Sequence, residues 1–330
     1  MNHSKTKIGI LILFMVYGGV SCSLNRKPER NIIVRFEKLV FATQPNNLSD
    51  SIKSNHKDLV PFFRIFNEDV IRIGPDTLPG YVTQLTGYKT DSLINLVNSE
   101  IGKSEDLFIN QLGIITSALD RWSEISDTPK VNHLVTYISG FNQSFITLPG
   151  VLGIGLDNYL GSKCQFYQSL GIPAYIRQNM NPENLPTDAL RAWLYSELPP
   201  PDPEGVFLDR MIYEGKVNYI AGKLLPEISQ EFLFHYSEKQ LNWCSEQEKS
   251  MWKYLAEQKV LFSSDRLTIR KFMEEAPFTR DFGNESPGRV GTWIGYRIVS
   301  SYMKTSGLDI KDLINNTNAR QILSASKYHP

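Results

Sequence analysis

Leu134-Val135-Thr136-Tyr137-Ile138, Ser144-Phe145-Ile146-Thr147-Leu148 and Val151-Leu152-Gly153-Ile154-Gly155-Leu156 are three short runs rich in β-branched and aromatic residues, separated by Gly, Asn and Pro. Runs of this length and composition suit a pleated, half-buried surface, and breakers between them mark turns. They predict three strands of a small, mostly antiparallel sheet. Outward from this block the apolar period changes. Asp91 to Val97 and Glu105 to Trp122 place apolar residues three and four apart, the spacing of a helix with one buried face. From Leu185 onward nearly every stretch reads as helix, interrupted by Leu198-Pro199-Pro200-Pro201-Asp202-Pro203-Glu204, whose prolines cannot continue one. Asn31 to Phe41 alternates well enough to be a further strand. The expected fold is α+β and predominantly helical, a single globular domain over residues 31–330.

The N-terminus has a different character. Lys5 and Lys7 precede the apolar run Ile8-Gly9-Ile10-Leu11-Ile12-Leu13-Phe14-Met15-Val16. That run is shorter than the ~20 residues needed to span a bilayer core, but it suits the central region of a secretory signal. Gly19-Val20-Ser21-Cys22 follows and resembles a bacterial lipobox. Residues 1–21 are therefore expected to be a cleaved signal, Cys22 the site of lipid (palmitate-type) attachment, and residues 22–30 a tether. Ser23, where Asp would favour inner-membrane retention, resembles an outer-membrane-sorted lipoprotein. With no acidic cluster after Cys22, the body is expected on the periplasmic face.

Composition narrows the partners. Lysines and arginines equal aspartates and glutamates at 35 each, and a neutral chain lacks the cationic surplus that neutralises nucleic-acid phosphates. Nucleic acid is not an expected partner. Once Cys22 carries lipid, Cys164 and Cys244 remain. In an oxidising compartment they either pair or stay as two buried thiols.

Two segments carry candidate chemistry. In Phe207-Leu208-Asp209-Arg210-Met211-Ile212-Tyr213-Glu214-Gly215-Lys216-Val217-Asn218-Tyr219-Ile220-Ala221, Phe207, Met211 and Asn218 share one stripe at about 100° per residue, with Glu214 inside it. Tyr213, Val217 and Ile220 form a second apolar stripe. So wide an apolar arc carries Glu214 and Asn218 toward an interior or a cleft, where a carboxylate must be paired, hydrogen-bonded or protonated. In the second segment, Ser286-Pro287-Gly288-Arg289-Val290-Gly291-Thr292-Trp293-Ile294-Gly295-Tyr296-Arg297, Ser286 and Pro287 read as a helix start. Gly291 and Gly295 leave a smooth face for close helix packing. Arg289 or Arg297 could neutralise Glu214. Asp157 could pair with Glu214 as a two-carboxylate site, although Asp-Asn is also an ordinary turn dipeptide. The five tryptophans, Trp122, Trp193, Trp243, Trp252 and Trp293, lie in helical patterns and are expected in the core rather than on a glycan platform.

Several stretches together resemble the gliding-motility lipoprotein GldB family. They are Tyr137-Ile138-Ser139-Gly140-Phe141-Asn142, Ile154-Gly155-Leu156-Asp157-Asn158-Tyr159-Leu160-Gly161, Met211-Ile212-Tyr213-Glu214-Gly215-Lys216, Ser286-Pro287-Gly288-Arg289 through Tyr302-Met303, and Ser324-Ala325-Ser326-Lys327-Tyr328. The resemblance implies a lipid-anchored envelope protein whose partners are other proteins of the gliding machinery and its associated secretion apparatus. More distantly, the helix bearing Glu214 followed by Gly-x-x-x-Gly-Tyr looks like a zinc-peptidase scaffold, in which Glu214 would match the third metal ligand. The two ligand histidines of such an enzyme stand at i and i+4 on a preceding helix. Here that helix reads Ala189-Leu190-Arg191-Ala192-Trp193-Leu194-Tyr195-Ser196-Glu197, and none of the five histidines lies within four residues of another. No metal or cofactor is expected. The reading is a non-catalytic binding or scaffold component, a pseudoenzyme, whose cleft near Glu214 holds a peptide or cell-wall ligand. The alternative is a periplasmic hydrolase, glycosidase or atypical peptidase, using a carboxylate such as Glu214.

Overall fold

The computed structural model describes residues 32–128 and 130–330. Cys22, the signal and the whole of the tether lie outside the described residues. The chain opens with β1 (Ile32–Arg35), followed by α1 (Phe36–Ala42), α2 (Pro45–Asn55), α3 (Val60–Ile65), α4 (Tyr81–Thr90), α5 (Ser92–Lys103) and α6 (Glu105–Ile125). Three strands come next: β2 (His133–Tyr137), β3 (Phe145–Leu148) and β4 (Val151–Gly155). The remainder is helical, with α7 (Gln165–Ser169), α8 (Ala174–Arg177), α9 (Leu185–Glu197), α10 (Phe207–Leu224) and α11 (Gln230–Phe234). Then follow α12 (Glu238–Glu257), α13 (Arg266–Met273), α14 (Val290–Ser306), α15 (Ile310–Asn315) and α16 (Ala319–Ser326). The fold is α+β and predominantly helical around one small mixed sheet.

The sheet corrects one expectation. Its order is β1-β2-β4-β3. β1 pairs with β2 and β2 with β4 in parallel, with Ile33 opposite Leu134 and Leu134 opposite Leu152. Only β3 and β4 are antiparallel, Thr147 facing Leu152. The sheet is thus mostly parallel. The chain leaving β2 does not turn back at once. It runs on to form β3 at the outer edge, and Pro149-Gly150, with Gly150 at φ +75°, folds β4 into the gap between them. Both faces of the sheet are covered. Val135, Tyr137 and Ile146 pack against Phe36, Phe62 and Phe66 from the N-terminal helices. Leu134, Leu152 and Ile154 point to the larger core with Phe108, Leu112 and Trp193. Strands buried on both faces read as continuous apolar runs rather than clean alternation, and the quoted segments have that form.

β1 is shorter than the alternation of Asn31 to Phe41 suggested. It ends at Arg35 because Phe36 and Val40, one turn apart, are wholly buried as the inner face of α1. Glu37 of that helix is buried too, accepting from Thr136 Oγ1 at 2.6 Å and Arg35 Nε at 2.6 Å.

α10 and α14 form the most intimate helix pair, and their glycines explain it. A Cβ on Gly295 would sit 1.9 Å from the Met211 carbonyl oxygen, and one on Gly215 would sit 2.3 Å from the Gly295 carbonyl. The two backbones touch where a side chain would stand. The start of α14 differs from expectation. Ser286 does not cap it: its hydroxyl accepts from Thr279 N at 3.0 Å and donates to the Gly283 carbonyl at 2.6 Å. The helix begins at Val290, preceded by Arg289 at φ +54°. All five tryptophans are helical, and Trp122, Trp193 and Trp293 are buried. Among the described residues no helix is long and apolar enough to cross a membrane.

Candidate functional site

α9 is mostly a core helix: Leu185, Ala189, Leu190, Trp193 and Leu194 are all buried. Asp188, Arg191 and Tyr195, spaced three and four apart, give it one polar stripe, and that stripe faces α10. The Arg191 guanidinium, only 6% exposed, donates to Asn218 Oδ1 from Nε at 3.2 Å and from Nη2 at 2.7 Å. Nη2 also donates to the Leu233 carbonyl, and Nη1 lies 3.5 Å from Asp188 Oδ1. Asn218 Nδ2 in turn donates to the Glu214 carbonyl at 2.8 Å. A buried cation needs its donors matched, and here a neutral amide, a carbonyl and a carboxylate share the task.

Asp188 gathers a second set of partners. The Tyr159 hydroxyl donates to its Oδ2 at 3.0 Å, and His235 Nε2 lies 3.0 Å from its Oδ1. Burial alone would raise the Asp188 carboxyl. His235, Arg191 and the Tyr159 hydroxyl outweigh it and hold the group below the usual carboxylate range. The His235 side chain is 7% exposed, and its backbone is left-handed at φ +54° where it closes α11. Its Nε2 is thus held against the Asp188 carboxylate.

The Tyr195 hydroxyl donates to Glu214 Oε2 at 2.8 Å, and its ring stacks on Tyr213 with centroids 6.0 Å apart. Burial and then the Glu214 charge push the Tyr195 phenol well above its ordinary value, so it stays a donor. Arg289 completes the wall. Its Nε pairs with Glu275 Oε1 at 3.0 Å and its Nη2 donates to the Phe234 carbonyl at 2.9 Å. Burial works against its charge, but Glu275, Tyr236, Tyr195 and Glu214 more than compensate.

Most of these groups border a cavity of about 570 Å³ whose other lining is chiefly apolar, Phe145, Ile172, Ile176, Met180 and Ala192, with Ser144, Asn158 and Asn179. A second cavity of about 530 Å³, lined chiefly by amides, shares Asn179 and His235 with it. Of the residues singled out from the sequence, only Arg289 lines the first cavity. Glu214 and Asn218 do not line it; they are bonded to Tyr195 and Arg191, which do. Tyr213 turns to a separate cavity of about 460 Å³ beside Lys216 and Pro200.

Two expectations are corrected by placement. Arg297 does not reach Glu214: its Nε pairs with Glu248 at 2.9 Å, and the Tyr328 hydroxyl donates to the same carboxylate at 2.7 Å. It fastens the C-terminal segment to α12. Asp157 is not a partner for Glu214 either. Wholly buried, it accepts from Ser139 N at 3.0 Å, Ser139 Oγ at 2.9 Å and Phe141 N at 2.6 Å, so it braces the loop after β2. Burial raises its carboxyl, partly offset by those donors. The possible disulfide is not formed. Cys164 is a half-buried free thiol, and Cys244 is a buried one that burial pushes up to about 12.

Arg191 and Tyr195 occupy the i and i+4 positions at which a paired-histidine helix would present its imidazoles to Glu214. A guanidinium and a hydrogen-bonded phenol do not fit a zinc ion, and no group of three His, Cys, Asp or Glu among the described residues is arranged to hold a metal. Asp188, Arg191, Tyr195 and His235 were not singled out from the sequence. The first three were legible as one polar stripe on an otherwise apolar helix, whereas nothing local placed His235 against them.

A family model described as gliding motility protein GldB matches residues 24–330. The comparison with curated proteins and that with solved structures return no match.

Proposed function

Because the chain belongs to the gliding motility protein GldB family, we propose that it is an envelope lipoprotein of the gliding apparatus and its associated secretion machinery, acting by binding rather than catalysis. In this reading Cys22 carries the lipid, residues 22–30 tether the body, and residues 31–330 form one domain on the periplasmic face of the outer membrane. Its partners are other proteins of that machinery.

One observation carries the non-catalytic part. The charged groups of the cleft are committed to one another: Arg191 to Asn218 and Asp188, Glu214 to Tyr195, Arg289 to Glu275. An acid–base or nucleophilic group needs a free lone pair or proton facing the substrate. Glu214, the natural candidate, does not line the cavity, and its Oε2 accepts from Tyr195. What faces the cavity is chiefly apolar surface with a few fixed polar groups, the composition of a binding pocket.

The test has two arms. Metabolic palmitate labelling and membrane fractionation compare the native chain with Cys22→Ala; loss of label and release of the protein are expected. Site-specific cross-linking from Ile176 in intact cells reads partner capture, and Glu214→Gln is expected to leave any capture measurable with no turnover to lose. Hydrolysis of peptidoglycan or peptides by the purified protein, abolished by Glu214→Gln, overturns the reading in favour of the hydrolase.

A further inference from the structure

The two cavities that meet at Asn179 and His235 form one groove with two unlike halves. Each, at about 570 and 530 Å³, has the size of a site in its own right, so a ligand that fills both must be elongated and unlike at its two ends. The halves sort by chemistry. In the first, Ile172, Ile176, Met180 and Ala192 make an aliphatic wall, and its charged members are already paired with each other. A sugar ring would set most of its hydroxyls against that wall, which is costly, whereas an aliphatic or aromatic side chain matches it. In the second half, Gln178, Asn179 and Asn284 line the surface, and among the described residues their side-chain amides make no hydrogen bond. Each offers two donors and an acceptor, the complement of a main chain that presents N–H and C=O groups in alternation.

Charge adds a third constraint. Arg191 with Asp188 and Arg289 with Glu275 balance the apolar half. In the polar half Lys239 lies 4.0 Å from Glu285, which leaves Glu231 without a cationic partner among the described residues. The groove therefore carries one uncompensated negative charge, at its polar end. His235 stands at the junction and lines both halves, its Nε2 held by Asp188.

Resting on the reading of this protein as a binding component, we propose that the groove holds an extended peptide segment of a partner protein. A large apolar side chain seats among Ile176, Met180 and Ala192. The main chain crosses His235 and the amides, and a lysine or arginine reaches Glu231.

Fluorescence anisotropy on the detergent-solubilised full-length protein tests this. The probes are labelled Gly/Ser peptides of roughly ten residues, long enough in extended form to cross both halves. Each carries one leucine and one lysine at varied separations. At least one separation is expected to bind, and leucine-to-serine in that peptide to abolish binding. Glu231→Lys, at an exposed position, should weaken the lysine peptide roughly fivefold or more and strengthen the matching glutamate peptide. Ala192→Phe fills the aliphatic half and should block both. Ile176→Asp, at a position 36% exposed, serves the same purpose if the larger side chain perturbs folding. The proposal is overturned if no peptide of the series binds, if the charge swap at Glu231 has no reciprocal effect, or if chito-oligosaccharide binds instead and is blocked by Ala192→Phe. Partner capture in cells by a general amine-reactive cross-linker that persists in Ile176→Asp and Ala192→Phe rejects the groove while keeping the binding role. Glu214-dependent turnover rejects that role itself.

Discussion

Gly295→Ala is the smallest change that should do the largest damage to this fold. The added methyl carbon would lie 1.9 Å from the Met211 carbonyl oxygen and 2.8 Å from its carbonyl carbon. Real contacts of this kind need about 3.4 Å, so the helices must part by about 1.5 Å. No side-chain rotation relieves the clash, because the obstructing atoms are backbone of α10. Ordinary overpacking costs about 1–3 kcal/mol; a gap of this size across a dry interface also forfeits much of its dispersion contact. Against this, Ala gains up to ~1 kcal/mol over Gly in a helix interior. The expected net loss is about 3 kcal/mol, a large share of the 5–15 kcal/mol typical of a folded protein. Urea unfolding of the detergent-solubilised protein, followed by tryptophan fluorescence, checks it. The midpoint should fall by about 1 M at a slope near 3 kcal/mol/M. Gly113→Ala is the matched control: it is also helical, but a Cβ there meets nothing within 4 Å. It should stabilise by about 0.5–1 kcal/mol. If both alanines shift the midpoint in the same direction, the reasoning from backbone contact between α10 and α14 is wrong.

Lys216 supplies a pH test. Its buried ammonium donates only to the Ile314 and Asn316 carbonyls, at 3.1 and 3.0 Å, and burial pulls its pKa down from 10.5 to about 8. Below pH 8 folded and unfolded chains are both protonated there and the cost is complete; between 8 and 10.5 the unfolded chain holds the extra proton, so stability rises with pH. Unfolding across pH 7 to 10 should show a rise of up to ~3 kcal/mol that Lys216→Met lacks; equal slopes in the two proteins would count against it. Asn218→Leu leaves the Arg191 charge short of its main acceptor, and a loss of about 3–5 kcal/mol is expected by calorimetry. Glu214→Gln, by contrast, still accepts from Tyr195 and should cost no more than ~1 kcal/mol, measured in the same experiment. In thiol labelling read by mass spectrometry, Cys164 should react in the native protein and Cys244 only after denaturation; a bridged pair would label neither until reduced.

The relation between chain and fold can be followed residue by residue. Periods of two and of three to four are local properties, and they located the strands near 133–137, 145–148 and 151–155 and the long helices, but not α1, α2, α7 or α8. Gly291-x-x-x-Gly295 foretold a close helix crossing, and the wide apolar arc of 207–221 foretold a buried helix. Family membership was legible in the same way, from segments now inside one matched span. Partner choice was another matter. Whether β4 lies parallel to β2 depends on where the chain goes between them, and the local alternation is the same for either pairing. Arg191 is 27 residues from Asn218, and Tyr195 is 19 from Glu214. Arg297 could have met Glu214 or Glu248, carboxylates of equal attraction on paper. His235 reached Asp188 only because α11 ends in a left-handed turn. Secondary structure, apolar faces and family were determined by the sequence alone, because short-range sterics and burial pattern encode them. Strand direction, ion-pair partners and the two-part groove were decided by the tertiary structure, because each depends on distances between segments that no local pattern records.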